Sequence, residues 1–229
     1  MTWVKICGMT NLEDALVAVE AGADAVGFVF YEKSPRYVTA EMTRTMVEKL
    51  PTEIEKVGVF AGESMEHSIE AGSYAGLDAL QLYLLTFPKP LGEETLHIRA
   101  LGSRLKIYPA LPVSVFLGEG ARNASGFAMG ASGGIDTLFL DSGSSQRPGG
   151  TGQRFDWKES ASAVRELGAH QNIVVAGGLT PENVSDAVGI LKPWGVDVAS
   201  GVEARPGKKD PGRVRAFVRA VREIDQKAS

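Results

Sequence analysis

Ile173-Val174-Val175-Ala176-Gly177-Gly178-Leu179-Thr180-Pro181-Glu182-Asn183 is the stretch on which the fold turns. A short apolar run is followed by a glycine pair and then by a helix start. Parallel strands buried on both faces read as continuous apolar runs of this kind. Thr180 is placed to cap a helix, Pro181 suits a first turn that needs no N–H, and Glu182 complements the helix dipole. Strand, glycine loop and helix in that order form part of a βαβ unit.

The same unit recurs on both sides. Apolar runs predict strands at residues 3–7, 25–30, 56–60, 78–82, 105–110, 137–140, 173–176 and 196–199, eight in all. Helical segments separate most of them. Asn11 caps a helix over 12–21, in which Ala15, Leu16, Val19 and Glu20 set the period and Gly22 ends the turn. A last helix over 211–225 places Val214, Phe217, Val218 and Val221 on one stripe. Residues 109–134 are rich in glycine and small side chains and signal a helix weakly. Alternating strands and helices imply right-handed crossovers and a parallel sheet. Eight such units in 229 residues fit one α/β domain over 1–229, a closed (β/α)8 barrel. An open doubly wound sheet is the competing arrangement.

Composition bounds the function classes. The net charge is −4 with a pI near 5.5, and Lys and Arg are scattered, so the basic stripe of a nucleic-acid binder is missing. The modest basic cluster near the C-terminus reads as the solvated face of the last helix. Cys7 is the single cysteine, which rules out an intrachain disulfide and fits a cytoplasmic location. The first residues lack the basic and apolar regions of a signal peptide, and no apolar run reaches membrane-spanning length. His67, His97 and His170 lack metal-ligand spacing, so no metal site is expected.

In a (β/α)8 barrel the chemistry belongs to the loops after the strands. Cys7 ends the first strand and precedes Gly8, which lets a ligand approach. Taken alone it reads as a structural cysteine or as a base whose use depends on an accessible thiolate. Asp141 follows the sixth strand, as a loop cap or as a functional acid that would pair with Cys7. Arg36, in Ser34-Pro35-Arg36, offers a planar fork suited to a carboxylate, or is a surface arginine. Gly177 and Gly178 follow the seventh strand, and Ser200 and Gly201 the eighth, where this fold commonly holds phosphate on exposed N–H groups. Pro148-Gly149-Gly150-Thr151-Gly152 is a glycine-rich loop without the Gly-Lys-Ser/Thr of a nucleotide-binding loop.

Read together, these residues resemble a known family. Lys5-Ile6-Cys7-Gly8-Met9-Thr10, Gly27-Phe28-Val29-Phe30, Ser34-Pro35-Arg36-Tyr37-Val38 and Val57-Gly58-Val59-Phe60 resemble the motifs of phosphoribosylanthranilate isomerases. So do Leu140-Asp141, Phe155-Asp156-Trp157, the block from Ala176 to Asn183, and the block from Gly195 to Glu203 with Pro206-Gly207 and Lys209-Asp210. The matches fall in order along nearly the whole chain. The resemblance implies Cys7 as general base, Asp141 as general acid, Arg36 on the anthranilate carboxylate, and Gly177, Gly178, Ser200 and Gly201 on the phosphate. Asp197 falls at a polar position of the eighth strand that orders the site. One block departs: Gln81-Leu82-Tyr83-Leu84 stands where the family has Gln-Leu-His-Gly. Tyr83 is expected to line the aromatic end of the substrate and to alter fit rather than reaction type.

The implied reaction is an Amadori rearrangement of a phosphorylated aminoaldose, a step of tryptophan biosynthesis. It needs no cofactor, because the substrate's own nitrogen is the electron sink. It asks that burial raise the Asp141 carboxyl and that positive potential lower the Cys7 thiol. The expected partner is a phosphorylated small molecule, with neither nucleic acid nor membrane, and the chain is expected as a monomer or homodimer. The alternatives are a related sugar-phosphate aminoaldose isomerase, whose aspartate at the end of the first strand is here Cys7, and a non-catalytic barrel that binds a phosphorylated ligand.

Overall fold

The computed structural model describes residues 1–83, 104–117, 137–142 and 154–228. In chain order these hold β1 (Trp3–Cys7), α1 (Leu12–Glu20), β2 (Ala25–Val29), α2 (Ala40–Val47), β3 (Glu55–Ala61), α3 (Met65–Ala75), β4 (Ala79–Tyr83) and β5 (Lys106–Pro112). There follow β6 (Thr137–Asp141), α4 (Trp157–Gly168), β7 (Asn172–Val175), α5 (Val184–Leu191), β8 (Gly195–Val198), the short hairpin strands β9 (Glu203–Arg205) and β10 (Lys208–Lys209), and α6 (Pro211–Ala228). β1 to β8 pair in parallel in sequence order, and β8 returns to β1 with Trp3 opposite Gly195 and Ile6 opposite Val198. That last ladder closes the barrel and removes the open-sheet alternative.

The two-residue period of each strand sorts side chains into two cores. Outward residues such as Val4, Ile6, Val26, Phe28, Leu80, Leu138 and Leu140 pack beneath the helices. Inward residues Ala25, Val57, Ala79, Tyr108, Ala110, Phe139 and Val174 fill the barrel, with Trp3 and Tyr83 against them. On β1 this alternation sends Val4 and Ile6 outward and Lys5 and Cys7 inward.

The strands sit within two residues of their expected bounds; the helices differ more. Asn11 caps α1 by accepting from the Asp14 N–H at 2.9 Å. The buried face of α1 is Asp14, Ala15 and Ala18, whereas Leu16 is exposed. Small side chains bring α1 close to the sheet, and Asp14 is drawn in by the Lys209 N–H at 2.8 Å and Lys208 Nζ at 2.7 Å. α5 starts at Val184 rather than just after Thr180. The Asn183 side chain accepts from the Thr180 N–H at 2.8 Å and donates to the Gly178 carbonyl at 3.0 Å, which folds residues 180–183 into a turn ahead of the helix. In α6, Val214, Phe217, Val218 and Val221 are all buried, as their spacing predicted. β5 runs to Pro112 and passes into a 3-10 turn, Val113–Phe116. The rest of the weakly signalled stretch, and the glycine-rich loop from Pro148 to Gly152, lie outside the described residues.

A short repeat underlies the register. Gly22-Ala23-Asp24-Ala25 and Gly76-Leu77-Asp78-Ala79 each carry a helix end into an even-numbered strand. Asp24 accepts from the Val4 N–H and Asp78 from the Lys56 N–H, both at 2.8 Å. Each aspartate thereby satisfies an N–H of the preceding odd-numbered strand at the end where strands begin. A cleft of about 1030 Å³ lies at that same end, walled by Trp3, Asp24, Glu55, Asp78 and Lys106. Conservation of structure rather than chemistry is the usual business of that face. Among the described residues no helix is long and apolar enough to cross a membrane, and no cluster of His, Cys, Asp and Glu could hold a metal.

Candidate active site

Both proposed proton-transfer residues end strands and point into the barrel mouth. Cys7 closes β1 and is 6% exposed; Asp141 closes β6 and is 4% exposed. Tyr83, the last residue of β4, links them. Its hydroxyl donates to Asp141 Oδ2 at 2.7 Å, and it feels the charge of Cys7 as well. Burial, and then the Asp141 charge beside it, raise the Tyr83 phenol well above 10.0, so it stays a donor throughout the working pH range. The tyrosine that replaces the expected histidine therefore grips the candidate acid. The Ser142 hydroxyl lies 3.5 Å from the other carboxylate oxygen, Oδ1.

Cys7 departs from expectation. Burial pushes its thiol above the ordinary range, and the positive potential of Lys5 opposes this without overcoming it. Positive potential was expected to lower the thiol, but low-dielectric surroundings penalise a thiolate, and a sequence carries no measure of them.

Beneath the mouth lies a polar layer that sequence reasoning missed. Lys5 is fully buried, with Nζ 2.9 Å from Asp197 Oδ1 and 2.9 Å from Gln81 Oε1. β1 and β4 are not neighbours in the sheet, so this bond crosses the barrel interior. Asp197 is thus a partner of Lys5 before it is a partner of any ligand. The available signal was a lysine two residues before Cys7 in an otherwise apolar strand, since that spacing puts both on one face.

Arg36 has a protein partner of its own. Its Nε and Nη2 both sit 2.7 Å from the two carboxylate oxygens of Glu203, a bidentate pair. Lys209 Nζ joins the same carboxylate at 2.9 Å. The hydrogen bond to Glu203 raises Arg36, and burial lowers Lys209 despite Glu203. Burial works against the Glu203 charge, but Arg36 and Lys209 outweigh it and hold its carboxyl below its ordinary range. Glu203 and Lys209 stand in the sequence only as motif residues; their role depends on the β9–β10 hairpin, which brings them together at Arg36. Arg36 keeps its Nη1 edge, which makes no hydrogen bond among the described residues.

The loops after β7 and β8 meet as the fold predicts. Gly177 and Gly178 both take positive φ, 89° and 65°. Ser200 opens a 3-10 turn, Ser200–Val202. Gly201 packs on the backbone of Leu179, where a Cβ would stand 1.8 Å from the carbonyl oxygen, and its own carbonyl accepts from Arg213 Nε at 3.0 Å. The N–H groups of Gly177, Gly178, Ser200 and Gly201 have no acceptor among the described residues. Four such donors on two adjoining loops have the makings of an anion cradle.

The model of the family described as N-(5′-phosphoribosyl)anthranilate (PRA) isomerase matches residues 4–220. This chain belongs to that family. It is 41% identical over 224 residues to the N-(5′-phosphoribosyl)anthranilate isomerase of Citrifermentans bemidjiense, covering 98% of each sequence. The crystal structure of phosphoribosyl anthranilate isomerase from Thermotoga maritima superposes with a TM-score of 0.80 at 37% identity, over 97% of this chain and 100% of that one. A crystal structure of phosphoribosyl anthranilate isomerase in complex with reduced 1-(o-carboxyphenylamino)-1-deoxyribulose 5-phosphate superposes at 0.77 with 36% identity, over 97% and 100% of the two chains. Members of the PRA isomerase family thus share this closed barrel along its length, and one of them binds a phosphorylated carboxyphenylamino sugar.

Proposed function

We propose that this chain isomerises N-(5′-phosphoribosyl)anthranilate to 1-(2-carboxyphenylamino)-1-deoxyribulose 5-phosphate by the paired action of Asp141 and Cys7. The observation that carries the assignment of roles is the shared mouth: Asp141 and Cys7 close different strands, both are buried, and Tyr83 interacts with both.

Asp141, as the acid, gives its proton to the ribose ring oxygen. The C1′–O bond breaks, and the anthranilate nitrogen supplies its electron pair to form a protonated Schiff base. Cys7, as thiolate, takes the C2′ proton. The electrons of that C–H bond flow toward the nitrogen and give a neutral enolamine, which tautomerises to the aminoketose. Substrate and product are isomers, so the enzyme's own balance is one proton moved from Asp141 to Cys7, returned through solvent before the next turnover. Tyr83, donating to Oδ2, stabilises the Asp141 carboxylate left behind. The phosphate rests on the N–H groups of Gly177, Gly178, Ser200 and Gly201. The Nη1 edge of Arg36 faces the substrate carboxylate while Glu203 holds the other edge. Asp197 acts on the site through Lys5. We take the whole chain to work as one catalytic unit in the cytoplasm.

Turnover of freshly made substrate, followed by loss of its fluorescence, tests the reading in wild type, Cys7→Ser and Asp141→Asn. A general acid or base contributes about 10²–10⁴-fold. Both variants are expected to fall by at least that range with substrate binding retained. Near-normal turnover in either removes that residue from the mechanism.

A further inference from the structure

The reaction as assigned leaves a difficulty. The base must be a thiolate, yet Cys7 is buried, and burial favours the uncharged thiol. Something in the barrel must hold the anion. Among the described residues, the groups whose charge reaches the sulfur come from five places: Lys5 on β1, Arg36 after β2, Tyr83 on β4, Asp197 on β8 and Lys209 on β10. Tyr83 is neutral, and Asp197 repels a thiolate. Arg36 and Lys209 are both bonded to Glu203, whose carboxylate offsets their charge. Lys5 is left, and it is the cation that acts most strongly on Cys7.

The geometry of Lys5 is specific to this task. An ammonium has three N–H donors. Two go to Asp197 Oδ1 and Gln81 Oε1, each at 2.9 Å, which leaves one uncommitted, and the charges of Lys5 and Cys7 act on each other. The Phe139 ring, 5.3 Å from Nζ, supplies a wall on the β6 side. Gly27 on β2, opposite Cys7 in the ladder, makes the remaining room. A Cβ there would stand 2.7 Å from Cys7 Sγ and 2.9 Å from Lys5 Cε, so the thiol and the lysine stem converge over one missing side chain. Asp197 keeps Lys5 charged: burial alone would lower the ammonium, and Asp197 with Cys7 raises it instead.

We propose that Lys5 is a positioning residue of the isomerase, whose buried ammonium, fixed between Asp197 and Gln81, is the counter-ion that holds Cys7 as a thiolate beside the substrate. The role rests on Cys7 being the base. Lys5 itself touches no reacting atom; it sets the fraction of Cys7 that can act and aims the sulfur at the mouth.

The chain has one cysteine, so thiolate absorbance near 240 nm, with Cys7→Ser subtracted, reports on Cys7 alone. The titration is to be run on wild type, Lys5→Met and the double variant Lys5→Met/Asp197→Asn, with kcat and KM followed against pH. An opposite charge at contact distance shifts a titration by about one to three pH units. Lys5→Met is expected to move the thiolate midpoint upward by that amount. At neutral pH kcat should fall roughly 10- to 1,000-fold with KM little changed, and the deficit should shrink as pH rises. The double variant leaves no charge of the pair unmatched and carries the test if the single variant does not fold; its midpoint is expected to lie above wild type as well, since Lys5 acts on Cys7 more strongly than Asp197 does. A folded variant with a midpoint at or below that of wild type overturns the proposal. Retained turnover in Cys7→Ser would instead overturn the catalytic reading, and the titration would stand apart from it.

Discussion

Replacing Gly201 by alanine and replacing Gly189 by alanine are the same chemical change, twelve residues apart, and are expected to have opposite signs. At Gly201 the new Cβ would lie 1.8 Å from the Leu179 carbonyl oxygen, 2.9 Å from its carbon and 3.2 Å from the Thr180 Cα. Ordinary contact begins at 3.4 Å, so the loops after β7 and β8 would have to part by about 1.6 Å. All three neighbours are backbone, and no rotamer change relieves them. Overpacking costs about 1–3 kcal/mol, and a clash with backbone belongs at the top of that range. Gly189 is exposed inside α5 and meets nothing within 4 Å. Alanine there should gain about 0.5–1 kcal/mol by restricting the unfolded chain and suiting the helix. Urea unfolding of the two variants against wild type measures both. Function adds a second reading: parting the loops spreads the four N–H donors, so Gly201→Ala should raise KM and weaken inhibition by inorganic phosphate, leaving kcat less affected because phosphate is held in ground and transition states alike. Gly201→Ala with wild-type stability and wild-type phosphate inhibition would refute both the packing argument and the cradle.

Two further outcomes follow from the site. Tyr83→Phe deletes the donor to Asp141 Oδ2 without changing shape; a hydrogen bond to a charged group is worth about 1.5–3 kcal/mol. A kcat fall of roughly 10- to 100-fold is expected, at about 1.4 kcal/mol per factor of ten, and an unchanged kcat would show that the tyrosine does not support the acid. Glu203→Gln removes the counter-charge of Arg36 and Lys209, and breaking a buried pair costs about 3–5 kcal/mol, less where the amide keeps a hydrogen bond. Because the fold holds the Glu203 carboxyl below its ordinary range, its stabilisation is present above the unfolded value, about 4.3, and is lost as pH falls through the lower folded value. The melting temperature of wild type should therefore drop more steeply in acid than that of Glu203→Gln, which starts lower at neutral pH; parallel acid slopes would exclude the linkage.

Sequence alone determined the strand–helix alternation, because covering both faces of a parallel strand forces a continuous apolar run and that run is local. It determined the last helix for the same reason, since Val214, Phe217, Val218 and Val221 lie within two turns. It also brought out Cys7, Asp141 and the glycine loops, because a barrel puts its chemistry at strand ends and those residues stand there in the chain. The start of α5 was less legible: Thr180-Pro181-Glu182 has helix-start chemistry, but Asn183 reaches back to Gly178 and uses those residues for a turn. What only the tertiary structure decided is which groups pair across distance. Lys5 meets Asp197 192 residues away and Gln81 76 residues away, and Arg36 meets Glu203 167 residues away. No local pattern encodes those bonds, because they exist only once β8 has paired with β1 and the β9–β10 hairpin has folded back. The thiol that sequence placed at a strand end is raised by burial for the same reason: its surroundings come largely from other segments of the chain, and closure of the barrel brings them together.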